Sequence, residues 1–266
     1  MSMSFVHYEK FKRTLFGKCN ICHSESNLTW DHVPPKGGIE LEPVEIVTLI
    51  QVLTTDSNFK KPFISQNGVK YRTLCKTCNE RLGSTFDKVL NKFAIDLGRN
   101  LKSKPPIARI ETKPNSLIRA VVAHLLAANI EIVDTEFENQ LKLFVFDENK
   151  NLPDFLSVFY WIYPYDKIEI LQDIVMPAKP MNYSALNKFK ILKYFPIAYM
   201  ITDANEYEGL DSLNDFKNAK PSDVAELSIR LDKIRQQEWP NTITDGNFVI
   251  FGQQGANSIK AEPRKR

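Results

Sequence analysis

The chain has no run of eighteen apolar residues, which excludes a membrane-spanning helix. Its first stretch, "MSMSFVHYEKFKRTLFGK", has no apolar core bounded by a small-residue cleavage site. It does not read as a secretion signal, and a cytoplasmic location is expected. There is no glycine-rich phosphate loop and no internal repeat, so nothing points to a nucleotide cradle or a solenoid. Charge of either sign is almost balanced: the net +3 is too small by itself to mark a nucleic-acid binder. Cysteine and histidine are scarce, at four each in 266 residues.

The composition that remains, 43% hydrophobic and 25% charged, is usual for a folded globular protein. The length suits one large domain or two ordinary ones. Residues 1–100 hold 14 Lys and Arg against 10 Asp and Glu, whereas residues 101–266 are close to neutral. The terminal "KAEPRKR" is strongly basic. It reads as a solvated, disordered end, with a phosphate-contacting arm as the alternative.

The four cysteines fall into two C-x-x-C pairs, Cys19 with Cys22 and Cys75 with Cys78, separated by 52 residues. Two thiolates on one tight turn converge on a single ion, and two such turns supply the four soft ligands of tetrahedral Zn²⁺. A pair of disulfides would close very short loops and is disfavoured in a reducing compartment. A redox-active C-x-x-C would leave the second pair unexplained. The expectation is a structural zinc.

Between the pairs, "NLTWDH" alternates polar and apolar residues and reads as a short strand ending at Asp31-His32. "VPPKGG" then ends any regular element. "VEIVTLIQVL" is apolar enough for a buried helix or strand and does not choose between them. Asn67-Gly68 marks a turn leading into a second strand that ends at Cys75. From about residue 78 a helix follows, with a break expected at Gly83-Ser84 and one apolar face of Phe86, Val89, Leu90, Phe93 and Leu97.

Knuckle, strand, Asp-His, loop, strand, knuckle and helix in that order resemble the HNH endonucleases of the His-Me finger, or ββα-metal, class in their zinc-stabilised form. The matching residues are Cys19, Cys22, Asp31, His32, Cys75, Cys78 and Asn79, and the likeness covers about residues 15–90. "DHVPPK" is also similar to a phrase in bacterial HNH proteins of mobile-element and anti-phage-defence type. The resemblance implies a phosphodiester hydrolase acting on DNA. His32 would be the general base, and Asp31 and Asn79 would hold Mg²⁺ or Mn²⁺. For Asp31 and His32 to meet at one site, a bend at the strand end must overcome the alternation of successive side chains. Lys36, Arg72 and Arg81 surround the motif as candidate phosphate contacts. Two departures stand out. Asn79 occupies a position where the family usually has His, and no Asn precedes the second knuckle except Asn67, which the turn already explains. His23 reads as surface, with zinc ligation or phosphate contact as alternatives. His124, in the apolar "SLIRAVVAHLLAAN", reads as a packed core residue, and His7 has no evident partner.

Residues 99–116, rich in Pro and Lys, suggest a junction. A helix over "SLIRAVVAHLLAAN" and another over "TEFENQLKLFVF" follow, then strands in "FLSVFYWIYP", "KIEILQDIVM", "KFKILKYFPIAYMIT", "VAELSIRL" and "NFVIFG". The fold class expected is α+β: an N-terminal zinc-supported ββα-metal, treble-clef-like module over residues 1–100, then a helix and mostly antiparallel sheet domain over 101–266. Tyr160, Trp161, Tyr163 and Tyr165 read as core and cross-strand pairs before base-stacking residues. The competing functions are a non-catalytic zinc module that binds nucleic acid, and a nuclease subunit that works only with a protein partner held by residues 101–266.

Overall fold

The structure is a computed structural model describing residues 12–39, 42–49, 51, 62–132, 134–179, 182–204, 209–233, 249–250, 255 and 258–264. His7, the end of "VEIVTLIQVL" and most of "NFVIFG" lie outside these residues. The architecture is α+β, with mostly antiparallel sheets and four α-helices among the described residues.

Three short strands form the first sheet, in the order β1 (Phe16–Lys18), β2 (Glu25–His32), then β5 (Lys70–Cys75). The buried positions of β5 include Tyr71, Thr73, Leu74 and Cys75, and those of β2 are Leu28 and Asp31. Cys75 ends the strand and caps helix α1 (Lys76–Ser84), its Sγ accepting from the Cys78 N–H at 3.4 Å. The expected break falls at Thr85, after which α2 (Phe86–Ser103) buries Phe86, Leu90, Phe93 and Leu97 on one face. These follow the i, i+3, i+4 spacing of an amphipathic helix.

Residues 99–116 are not a loose connector. α2 runs to Ser103, β6 (Ile107–Thr112) pairs with β12 (Ala225–Arg230), and α3 (Pro114–Ala127) starts with proline in its first turn, where no N–H is needed. Every residue of α3 is buried. A helix apolar all round belongs inside the fold, and α3 touches α2, β5, the following helix α4 (Glu136–Phe146) and strand β9 (Asn182–Tyr194) of the large sheet. Its last-turn carbonyls, orphaned by helix geometry, are taken by side chains from three directions. Gln172 donates to Leu125 O, Asn20 to Leu126 O, and Thr73 to Ala127 O.

The large sheet has nine strands. Its main path runs β11 (Asp211–Ser212), β7 (Ser157–Ile162), β10 (Ile197–Thr202), β9, β8 (Ile168–Lys179), β14 (Ile259–Pro263), β3 (Val44–Thr48), β4 (Phe63–Ser65), with β13 (Val249–Ile250) beside β8. Two strands from residues 1–100 thus share a sheet with the C-terminal strands, so the sheet crosses the expected domain division. β14 is the splice: it pairs with β3 on one side and β8 on the other. The basic tail is therefore a strand through residue 263, not a solvated end, because Ile259 and Ala261 alternate inward and are buried. The aromatics behave as core: Tyr160, Trp161 and Tyr163 are buried, and Tyr160 lies opposite Tyr199. Charges inside the fold are paired, as burial demands. Lys190 Nζ lies 2.7 Å from Glu138 and 3.0 Å from Asp173, and Lys193 Nζ lies 2.6 Å from Glu169. No helix among the described residues is long and apolar enough to cross a membrane.

Candidate metal centre and nucleic-acid interface

Cys19, Cys22, Cys75 and Cys78 bring one sulfur each to within 4.8 Å of one another. Four sulfurs at about 2.3 Å from a tetrahedral Zn²⁺ would stand about 3.8 Å apart, and Cys22 Sγ and Cys75 Sγ stand 3.7 Å apart. The set is compatible with structural zinc. The first turn closes through Cys19 N to Ser24 O and His23 N to Cys19 O, with His23 at φ 60°. The second is the entry to α1. Backbone N–H groups of Ile21 and Cys78 point at Cys19 Sγ and Cys75 Sγ, both at 3.4 Å, which favours thiolates. A hydrogen bond from Cys78 holds Cys19 down at about 4. That shared proton, then burial, pushes Cys78 far up, while burial raises Cys75. Proton competition of this kind inside one cluster is relieved when a dication replaces the protons.

His32 ends β2, opposite Lys70 of β5, and is half-buried. The Asn67 backbone lies in hydrogen-bonding reach of its imidazole. Nε2 is shielded from solvent and has no hydrogen-bond partner. Burial depresses the pKa below its ordinary 6.5, helped by Lys70 and Lys36 and opposed by Asp31 and the Asn67 contact. The lowered pKa favours the uncharged ring at neutral pH.

Asp31 does not join His32. β2 stays regular to its end, Asp31 pairing with Tyr71 and His32 with Lys70, so the two side chains take opposite faces. Asp31 is buried, with Oδ2 3.4 Å from His124 Nδ1, and His124 Nε2 is 2.9 Å from Asp87 Oδ1. Burial alone would lower the His124 pKa; Asp87 and Asp31 outweigh it and raise the pKa to about 10. His124 is the packed, hydrogen-bonded core residue that the sequence suggested, its Nε2 bonded to Asp87, and the two carboxylates favour its charged form. Asn79 Nδ2 donates to Thr29 Oγ1 and Trp30 O, both at 2.9 Å, stitching α1 to β2. A hard dication such as Mg²⁺ is usually held by one or two carboxylates and substrate oxygens. With Asp31 committed to His124 on the inner face, the expected Asp31, His32 and Asn79 set does not converge, and the residues present do not fit that ion.

Of the expected phosphate contacts, Lys36 is exposed and its charge reaches His32. Arg72 lies on the outer face of β5, its Nε and Nη2 donating to Arg13 O and its Cζ 5.6 Å from the centre of the Trp30 ring. Arg81 is diverted: it donates to Phe146 O and pairs with Glu148 at 3.0 Å, tying α1 to the end of α4. His23 is outside the sulfur cluster. Lys70, Trp30, Asp87 and the ionic role of His124 were missed in the sequence. Alternation along "LTWDH" and "VKYRTL" carries the first two, since it puts Trp30, His32, Lys70 and Arg72 on one face.

No protein-family model matches this chain, and no curated protein or solved structure matches it either. The HNH likeness accordingly rests on the motif residues themselves.

Proposed function

We propose that the segment from Phe16 to Ser103 is a zinc-clamped, treble-clef-like HNH module that binds nucleic acid, DNA in the first instance, and hydrolyses its phosphodiester bonds. The observation that carries the reading is the setting of His32: a half-buried imidazole whose pKa burial holds below its ordinary value, on one strand-pair face with Lys70 and Arg72 and within the field of Lys36. The imidazole would take the proton of a water whose oxygen bonds to phosphorus as the P–O bond to the leaving sugar oxygen breaks, that oxygen taking a proton from solvent; the base's part is typically worth about 10²–10⁴ in rate. Lys36, Lys70 and the unengaged part of the Arg72 guanidinium neutralise the phosphate. The sulfur cluster holds β5 and the first knuckle together and takes no part in the reaction. Asn79 secures the strand that carries His32. No step is assigned to Mg²⁺ or Mn²⁺, because their expected donors do not share a site.

A second reading, a non-catalytic nucleic-acid-binding zinc module, is favoured by two specific observations: Asp31 faces the interior, and Nε2 of His32 is shielded. Nicking of supercoiled plasmid with Mg²⁺, with Mn²⁺ and with chelator separates the two. Under the first reading the wild type nicks, His32→Ala does not, and both contain the same zinc. Plasmid binding without nicking in any of these conditions would establish the second reading.

A further inference from the structure

Trp30 is 42% exposed although it sits within a paired strand. The register between β2 and β5 shifts at Thr29/Trp30. The extra residue of this bulge is Thr73 on β5, and Trp30, on the unbulged strand, lies outward between half-buried Thr29 and buried Asp31. The main chain at this point is held from behind, with Trp30 O accepting from Asn79 and Thr29 Oγ1 donating to Leu74 O. Two cations lie over the ring: Lys70 Nζ is 5.4 Å and Arg72 Cζ 5.6 Å from its centre. Trp30 and His32 are two residues apart on one face, about 6.6 Å along a strand, within the reach of one nucleotide.

From this geometry we infer that Trp30 is a stacking platform for an unpaired nucleobase, so that the module takes single-stranded or locally opened nucleic acid. This rests on the nucleic-acid reading above and adds the substrate class. In a duplex each base face is covered by its neighbours, and only an unpaired base can lie against an indole. Lys70 and Arg72 are close enough to the ring to meet the phosphodiester of a base laid against it, and they are placed before the ligand arrives, which lowers the ordering cost of binding.

The test uses the full zinc-loaded chain and fluorescence anisotropy with labelled oligothymidylate, oligouridylate and a duplex of equal length. The wild type is expected to prefer the single strands. Trp30→Ala should weaken single-strand binding by about 5- to 150-fold, the usual range for one stacked base, and duplex binding by less than about twofold. Trp30→Phe, which keeps a π face, should recover most of the loss. The two single strands separate DNA from RNA as the source of the base. Unchanged single-strand affinity in Trp30→Ala, or an equal loss on duplex, overturns the stacking platform while nucleic-acid binding stands. A wild type that binds no nucleic acid removes both.

Discussion

Replacing His124 by glutamine removes a buried cation from between Asp31 and Asp87. The folded protein raises this imidazole from an ordinary 6.5 to about 10. At about 1.4 kcal/mol for each tenfold change in proton affinity, the preference for the charged ring is on the order of 5 kcal/mol. The sign follows from the direction. A group with a raised folded pKa contributes its full stability below the unfolded value, here about pH 6.5. It loses that contribution as pH rises through about 10, by about 1.4 kcal/mol per pH unit. Glutamine does not titrate and leaves two carboxylates facing each other's field, a change that typically costs about 3–5 kcal/mol at neutral pH. Urea unfolding of both zinc-saturated proteins from pH 6 to 9.5 measures the difference. The gap should be widest near pH 6 and should shrink by about 1.4 kcal/mol per unit well above pH 7. A gap independent of pH would mean that the buried ring is neutral, and the ionic triad would be refuted. If the glutamine variant does not fold, the proton shifts of the wild-type histidines decide the same point, since His124 should remain protonated at pH 8.

Four further outcomes are expected. Metal analysis should find one zinc per chain, and Cys75→Ser should lose both the ion and the fold, because such a site contributes on the order of 10 kcal/mol; a folded, zinc-loaded variant would refute the clamp. In the nicking assay the acid limb of the rate profile should level off below pH 6.5, since burial and the nearby lysines depress His32; a limb centred above 6.5 would exclude this ring as the base. Asn79→Ala should lower stability by about 1–3 kcal/mol, the usual worth of its two bonds to β2, and an unchanged urea midpoint would contradict the stitching role. Ending the chain at residue 257 removes β14 from between β3 and β8; loss of the near-ultraviolet circular dichroism is expected, and a native-like spectrum would show that the splice is dispensable.

The sulfur cluster was readable because each half of its information is local: two C-x-x-C turns need only return to each other, and the antiparallel pairing of β2 with β5 arranges that. The strands at 157–162 and 197–202 and the helix at 114–127 were readable for the same reason, since period and punctuation lie within each segment. What failed to show was non-local. "VEIVT" pairs with a strand more than two hundred residues later, and nothing in either segment names the other. The terminal lysines and arginines suggested a solvated end, yet a strand of period two needs only Ile259 and Ala261 inward to be central. Asp31 failed for a related reason. Its neighbour His32 suggested a shared site, but the burial of His124 on a helix some ninety residues away requires an anion, and β2 keeps its regular alternation to provide one.

The buried helix α3 connects these facts. Asn20, beside Cys19, and Thr73, two residues before Cys75, both donate to its last carbonyls, while Gln172 of the large sheet donates to a third. The knuckle, the hairpin and the nine-stranded sheet are therefore registered on one helix end, where a shift of any of them leaves a buried polar group unpaired at about 1–3 kcal/mol. His124 lies within the same last turns and fixes Asp31 inward. On a strand that choice is binary: with Asp31 inward, His32 and Trp30 must face outward beside Lys70 and Arg72. The outer face of the hairpin, the part of the molecule that meets a ligand in our reading, is thus selected by residues 114–127 as much as by the sulfur clamp beneath it. The second half of the chain has a physical task in the first: it decides which side of β2 the chemistry is on.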